Sequence, residues 1–86
     1  MKLSPVQDQA IAARMALIVG ADNFDRLFRG IQFYEFDGTA LYVYAVDEYR
    51  AVEIEDTFGL HISIVASGIL KCEVPIVMVL PLKLKQ

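Results

Sequence analysis

Apolar and polar positions follow two different rhythms along this chain, and the change of rhythm divides it into elements. Ile11, Met15 and Ile18 recur at intervals of four and three, with Ala12 and Val19 beside them. That is the stripe of an amphipathic helix. Ser4 supplies an acceptor for an unpaired backbone N–H of the first turn, and Pro5 suits the first helical position. Gly20 predicts the end of this helix. Asp22 then reads as the cap of a short second helix. In it Phe24, Leu27 and Phe28 turn inward, Arg26 and Arg29 turn outward, and Gly30 is the stop.

The rhythm next shortens to two. Residues 31–36 read as a strand, Asp37-Gly38-Thr39 as a turn and residues 41–45 as a second strand, which together predict a β-hairpin. Alternation puts Leu41, Val43 and Ala45 on one face and Tyr42, Tyr44 and Val46 on the other. Asp47 predicts the cap of the third and longest helix, and Glu48 and Glu53 suit the positive end of its dipole. Ala51, Ile54, Phe58, Ile62 and Val65 repeat as its buried face. Gly59 interrupts that face at a cost of about 1 kcal/mol relative to alanine, which predicts a kink or a break, and Gly68 closes the helix. A last strand is expected over about 72–80. Pro75 would lie inside it and cannot donate to a ladder, so the strand belongs at an edge or carries a bulge. The tail Leu82-Lys83-Leu84-Lys85 either extends this strand or lies free. The order is α-α-β-β-α-β, an α+β fold whose helices pack on a three-stranded sheet.

Composition narrows the function. The 86 residues fit a single domain spanning 1–86, and the 56% hydrophobic content argues against disorder. No apolar run approaches the roughly 18–20 residues of a membrane span. The N-terminus turns polar at once, unlike a signal peptide, so a cytoplasmic protein is expected. Cys72 is the single cysteine, which excludes an internal disulfide. With one histidine, His61, and that one cysteine, no metal site is expected. Nothing orients the pair as nucleophile and base, and no P-loop is present. Neither a cofactor nor enzymatic activity is expected. A net charge of −3 disfavours a binder of phosphate backbones.

Three segments resemble a known family. Phe24-Asp25-Arg26-Leu27-Phe28-Arg29-Gly30-Ile31 resembles the second helix of domain I of the bacterial replication initiator DnaA. There a phenylalanine, two polar residues, usually a tryptophan, an apolar residue and a basic or polar one precede a proline. The segment from Asp37 through Ala45 resembles that domain's hairpin. Asp47-Glu48-Tyr49, with Ile54 and Phe58 beyond, resembles its asparagine-x-phenylalanine helix start and later aromatic. The resemblance spans roughly residues 9–80. It implies a KH-like fold and a non-enzymatic protein–protein interaction module in replication initiation or its regulation. The implied partners are a replicative helicase or a DnaA-type initiator or regulator protein, and the family also self-associates weakly. The family's helicase-contacting surface corresponds to Asn23 and Tyr49, with Phe24 and Arg26 beside them. Its self-association centres on an aromatic in the first helix. Here that region reads Gln7-Asp8-Gln9 and the chain has no tryptophan, so the implied homodimer is weak at most.

Other readings stand beside this one. Tyr49 is either an exposed anchor or a packing residue. Tyr42 and Tyr44 are either a cross-strand packing pair or, if no helix covers them, a surface for a partner or for stacked bases. Arg14, Arg26 and Arg29 could form a basic patch between the first two helices, with Lys71, Lys83 and Lys85 adding to it. That patch would suit a KH-like module for single-stranded nucleic acid. Yet no two glycines are three apart, so the Gly-x-x-Gly loop of that family is missing. Glu53, Glu55 and Asp56 form either a solvated helix face or an acidic patch for a basic partner. A further reading is a subunit-binding domain such as the similarly folded C-terminal domain of the clamp-loader tau subunit.

Overall fold

Local capping starts the structure, a computed structural model that describes residues 1–82. Helix α1 is Pro5–Val19. Gln7 donates its backbone N–H to Ser4 Oγ at 3.1 Å, and Ser4 donates its own to Gln7 Oε1 at 2.8 Å. Two otherwise unpaired donors are satisfied by this reciprocal pair. Ile11 and Met15 are buried, but Ile18, the third residue of the expected stripe, is 47% exposed.

The second helix starts differently from expectation. Gly20, at φ 87°, is its N-cap, and no side chain caps it. Asp22 lies inside the first turn of α2 (Ala21–Asn23). The chain then widens into a π-helical turn, Phe24–Phe28. A π turn brings residues four apart nearly one above the other. The rings of Phe24 and Phe28 accordingly stack at 5.5 Å with planes 12° apart. Phe28 also meets Phe58 edge-on at 5.7 Å, so a column of rings joins this turn to the third helix.

The sheet has the order β1 (Gln32–Phe36), β2 (Ala40–Ala45), β3 (Ile76–Pro81). β1 and β2 are antiparallel, and β2 and β3 are parallel. The parallel pair needs a crossover, which is helix α3, Glu48–Leu70. Leu41, Val43 and Ala45 are buried, as alternation requires. β1 breaks strict alternation with a register shift between Phe33 and Glu35. The bulge lets Phe33 and Phe36 both face the core and leaves Tyr34 and Glu35 on the outer side.

Asp47 caps α3 by accepting the Arg50 backbone N–H at 2.9 Å. The helix continues through Gly59 and Gly68 for 23 residues, so neither glycine ends it. Lys71, in the left-handed region at φ 59°, is the actual terminus. Two serines of the last turns then hold the next segment. Ser63 Oγ donates to the Val74 carbonyl, and Ser67 Oγ accepts the Val74 N–H at 3.1 Å. Pro75 therefore precedes β3 and lies outside it, where its missing N–H interrupts no ladder bond. As expected, β3 is an edge strand.

Both sheet edges are closed by the helices and the chain start. Asp8 of α1 accepts the Phe33 N–H at 3.0 Å, and Glu55 of α3 accepts the Val79 N–H at 2.8 Å. Beside β1, Leu3 donates to the Tyr34 carbonyl and Phe36 to that of Met1, each at 2.9 Å. Along β3, Ile76 bonds toward β2 and Val79 outward, so positions 75, 77, 79 and 81 share the outer edge. Two of these are prolines. Such edges resist pairing with another chain. Lys83 and Lys85, with the rest of the tail beyond Leu82, lie outside the described residues. No helix among the described residues is long and apolar enough to cross a membrane.

Phe28, Phe33, Leu41, Ile54 and Ile62 are among the fully buried side chains, and no polar side chain is buried among the described residues. Truncating Phe28 to alanine is expected to lower stability by about 3–5 kcal/mol, close to the whole reserve of a small domain. At Gly59 an added Cβ would meet no atom within 4 Å outside its chain neighbours and the helix's own backbone. Gly59→Ala is therefore expected to raise stability by about 0.5–1 kcal/mol in urea unfolding. A decrease would mean that the helix needs glycine there for another reason.

Candidate functional site

The expected partner-binding residues gather where α2 and the π turn lie against the first half of α3. Asn23 Nδ2 donates to the Val19 carbonyl at the end of α1, at 3.1 Å. Its Oδ1 accepts from Arg26 Nη2, also at 3.1 Å. Arg26 Nη1 reaches Glu53 Oε2 at 3.2 Å. Arg50 adds a second strut, with Nε donating to the Arg26 carbonyl at 2.8 Å while its guanidinium also pairs with Asp47. This network runs from the end of α1 through the π turn to α3. The Arg26–Glu53 side chains are 52% and 30% exposed, so the pair contributes at most about 1 kcal/mol. Its effect is chiefly to orient.

Tyr49 sits one helical turn before Glu53 and is 71% exposed. That exposure rules out its reading as a packing residue. An open groove of about 580 Å³ runs beside it, lined by Glu48, Tyr49, Val52, Glu53, Asp56 and Thr57. Phe24 is partly buried in the ring column and holds the turn that carries Asn23 and Arg26.

Of the three arginines expected in a basic patch, Arg26 is turned to Glu53. Arg14 lies on the exposed face of α1, and Arg29 follows the π turn, also exposed. Glu53, Glu55 and Asp56 do not act together. Glu53 holds Arg26, Glu55 holds the Val79 N–H, and only Asp56 lines the groove without either duty. Gln7 and Asp8, where the resembled family has its first-helix aromatic, serve the α1 cap and the β1 edge. His61 packs edge-on to Phe58 at 6.1 Å, and Cys72 is exposed. Among the described residues no three His, Cys, Asp or Glu side chains are placed to hold a metal ion.

The helices cover one sheet face only, which resolves the condition on Tyr42 and Tyr44. Both are half-buried on the other face. Tyr34 meets Tyr44 edge-on at 5.6 Å, and Lys2 Nζ lies 5.2 Å from the Tyr34 ring centre. Ile76 and Met78 are 46% and 40% exposed on the adjoining strand. The bulge adds Tyr34 to this face, and no periodicity in the sequence announces it.

Sequence reasoning missed the exposed apolar side chains of α3. Tyr49, Val52, Leu60 and Ile64 are 71%, 55%, 73% and 63% exposed. Their spacing was readable as a second stripe, opposite the buried one. No protein-family model, curated protein or solved structure matches this chain. What is established is the class of fold, an α+β domain of three helices on a mixed three-stranded sheet.

One acid–base pair gives a titration signature. The Ala40 and Thr39 N–H groups donate to Asp37 Oδ1 at 2.8 and 2.9 Å and hold this carboxyl below its ordinary 3.8. Tyr42 donates its hydroxyl to Asp37 Oδ2 at 3.1 Å, and losing that proton beside the carboxylate is unfavourable, so its pKa rises above 10.0. The carboxylate's contribution is thus present above pH 3.8 and lost as pH falls through its lowered folded value. That of Tyr42 is present below pH 10.0 and lost as pH rises through its raised folded value. NMR titration of carbon-13-labelled tyrosine is expected to find Tyr42 above 10.0 and to bring it back toward 10.0 in Asp37→Asn. An unmoved Tyr42 in that variant would contradict the bond.

Proposed function

We propose that this chain is a non-enzymatic protein–protein interaction module of replication initiation or its regulation. It docks a replicative helicase or a DnaA-type initiator or regulator protein, and it works in the cytoplasm. The observation that carries the reading is the exposure of Tyr49 at 71% beside an open groove, on a helix braced by the Asn23–Arg26–Glu53 network. An aromatic held at its base loses little freedom on binding and brings a large contact area with a wet hydroxyl. The element order is the one the resemblance to domain I of DnaA implies, and this supports the reading. Fold alone does not carry function, so the argument rests on the site. Asn23 and Arg26 form its polar rim and Phe24 its support.

A second reading has its own observation. Three tyrosines, Tyr34, Tyr42 and Tyr44, lie on the sheet face that no helix covers, as a stacking surface for single-stranded nucleic acid requires. Glu35 and Asp37 border that face and the net charge is −3, both unfavourable to a polyanion.

The deciding experiment is a pull-down from host lysate with the purified chain, followed by titration of the recovered partner. Tyr49→Ala is expected to weaken that partner by about 1–2 kcal/mol, roughly five- to thirtyfold. Asn23→Ala is expected to weaken it less. Unchanged affinity in both would remove this surface from the site. Salt-sensitive binding of single-stranded DNA, with no protein recovered, would favour the second reading.

A further inference from the structure

We infer that the outer face of α3 is a docking strip for a cationic amphipathic helix, which deepens the interaction-module reading and rests on it. Opposite the buried face, Tyr49, Val52, Asp56, Leu60 and Ile64 recur at three and four residues and so share one side of the helix. The four apolar side chains among them are all more than half exposed. At 1.5 Å per residue the stripe is about 22 Å long, the length of a partner helix of about four turns. An exposed apolar stripe, here with one carboxylate at its middle, is what a helix laid along a groove covers.

Charge decides the kind of helix. The groove beside the stripe is lined by the carboxylates of Glu48, Glu53 and Asp56 together with Tyr49, Val52 and Thr57. Among the described residues only Glu53 has a cationic partner there, Arg26 at 3.2 Å. Asp56 stands in the middle of the stripe, between Val52 and Leu60. A second copy of the chain is therefore a poor occupant. In an antiparallel pairing of α3 with its copy the midpoint falls between Asp56 and Thr57, so the two Asp56 carboxylates would approach each other among apolar side chains. Bringing like charges together with partial loss of water is unfavourable. A helix with lysine or arginine at its centre, and apolar residues one turn to either side, meets the same stripe with opposite charge.

The test uses the full chain, labelled with nitrogen-15, and a synthetic leucine–lysine amphipathic helix of about four turns. A matched peptide carries glutamate in place of lysine. The cationic peptide is expected to shift the amide signals of residues 49–64, to bind more weakly as salt is raised, and to be favoured over the acidic peptide. Asp56→Lys is expected to reverse that preference, and Leu60→Ala to weaken the cationic peptide about tenfold. Equal binding of the two peptides, or shifts confined to the tyrosine face of the sheet, would overturn the inference. So would a concentration-dependent dimer with the stripe at its interface. The titration contains no helicase, so the two readings fail separately. If the lysate yields no replication protein while the cationic peptide lands on the stripe, the docking chemistry stands and the replication partner falls. If the peptide does not bind while a lysate partner depends on Tyr49, the module stands and the cationic-helix assignment falls.

Discussion

Burial of one side of α3 against the sheet is the constraint on which the rest of this domain depends. Ala51, Ile54, Ile62, Val65 and Ala66 of this helix are all buried. The parallel pairing of β2 with β3 exists only because α3 carries the chain across between them. Among the described residues the two layers leave the outer side of the helix uncovered. Tyr49, Val52, Leu60 and Ile64 are the exposed residues of that side.

The second helix depends on the same packing. Three α-helical residues and one π turn cannot hold themselves together, since a helix this short is not stable alone. The ring column from Phe24 through Phe28 to Phe58 fastens them, and the Asn23–Arg26–Glu53 chain fixes their polar side. The rim of the proposed docking surface is thus built on α3, as its centre is. Closed sheet edges complete the picture. With Asp8, Glu55 and two prolines occupying edge positions, strand addition is disfavoured.

Much of the local structure was legible because its causes are local. Ser4 with Pro5 and Asp47 mark helix starts by hydrogen-bond geometry that spans three residues. Strand alternation in β2 reads directly as buried and outer faces. Errors arose where a longer-range contact overrode a local cue. Gly59 and Gly68 stay helical because the buried residues around them hold α3 to the sheet. The apolar pattern of the sequence runs through Pro75 and so places it in the strand. The boundary was set instead by Ser63 and Ser67, eleven and seven residues before the Val74 they bind. The bulge in β1 was invisible for the same reason. It reconciles Phe33 and Phe36 with one core, and a core is a property of all the elements together.

The candidate site divides along the same line. Residue types and spacing determined that Asn23, Arg26 and Tyr49 would fall near helix starts and that the chain would fold as α-α-β-β-α-β. Tertiary structure decided that Arg26 pairs with Glu53, that Tyr49 faces solvent, and that among the described residues no helix covers the tyrosine face of the sheet. Periodicity tells which residues share a side of a helix or strand. Which side meets solvent depends on how many layers the chain can supply, and that is settled only when all the elements compete for the same core.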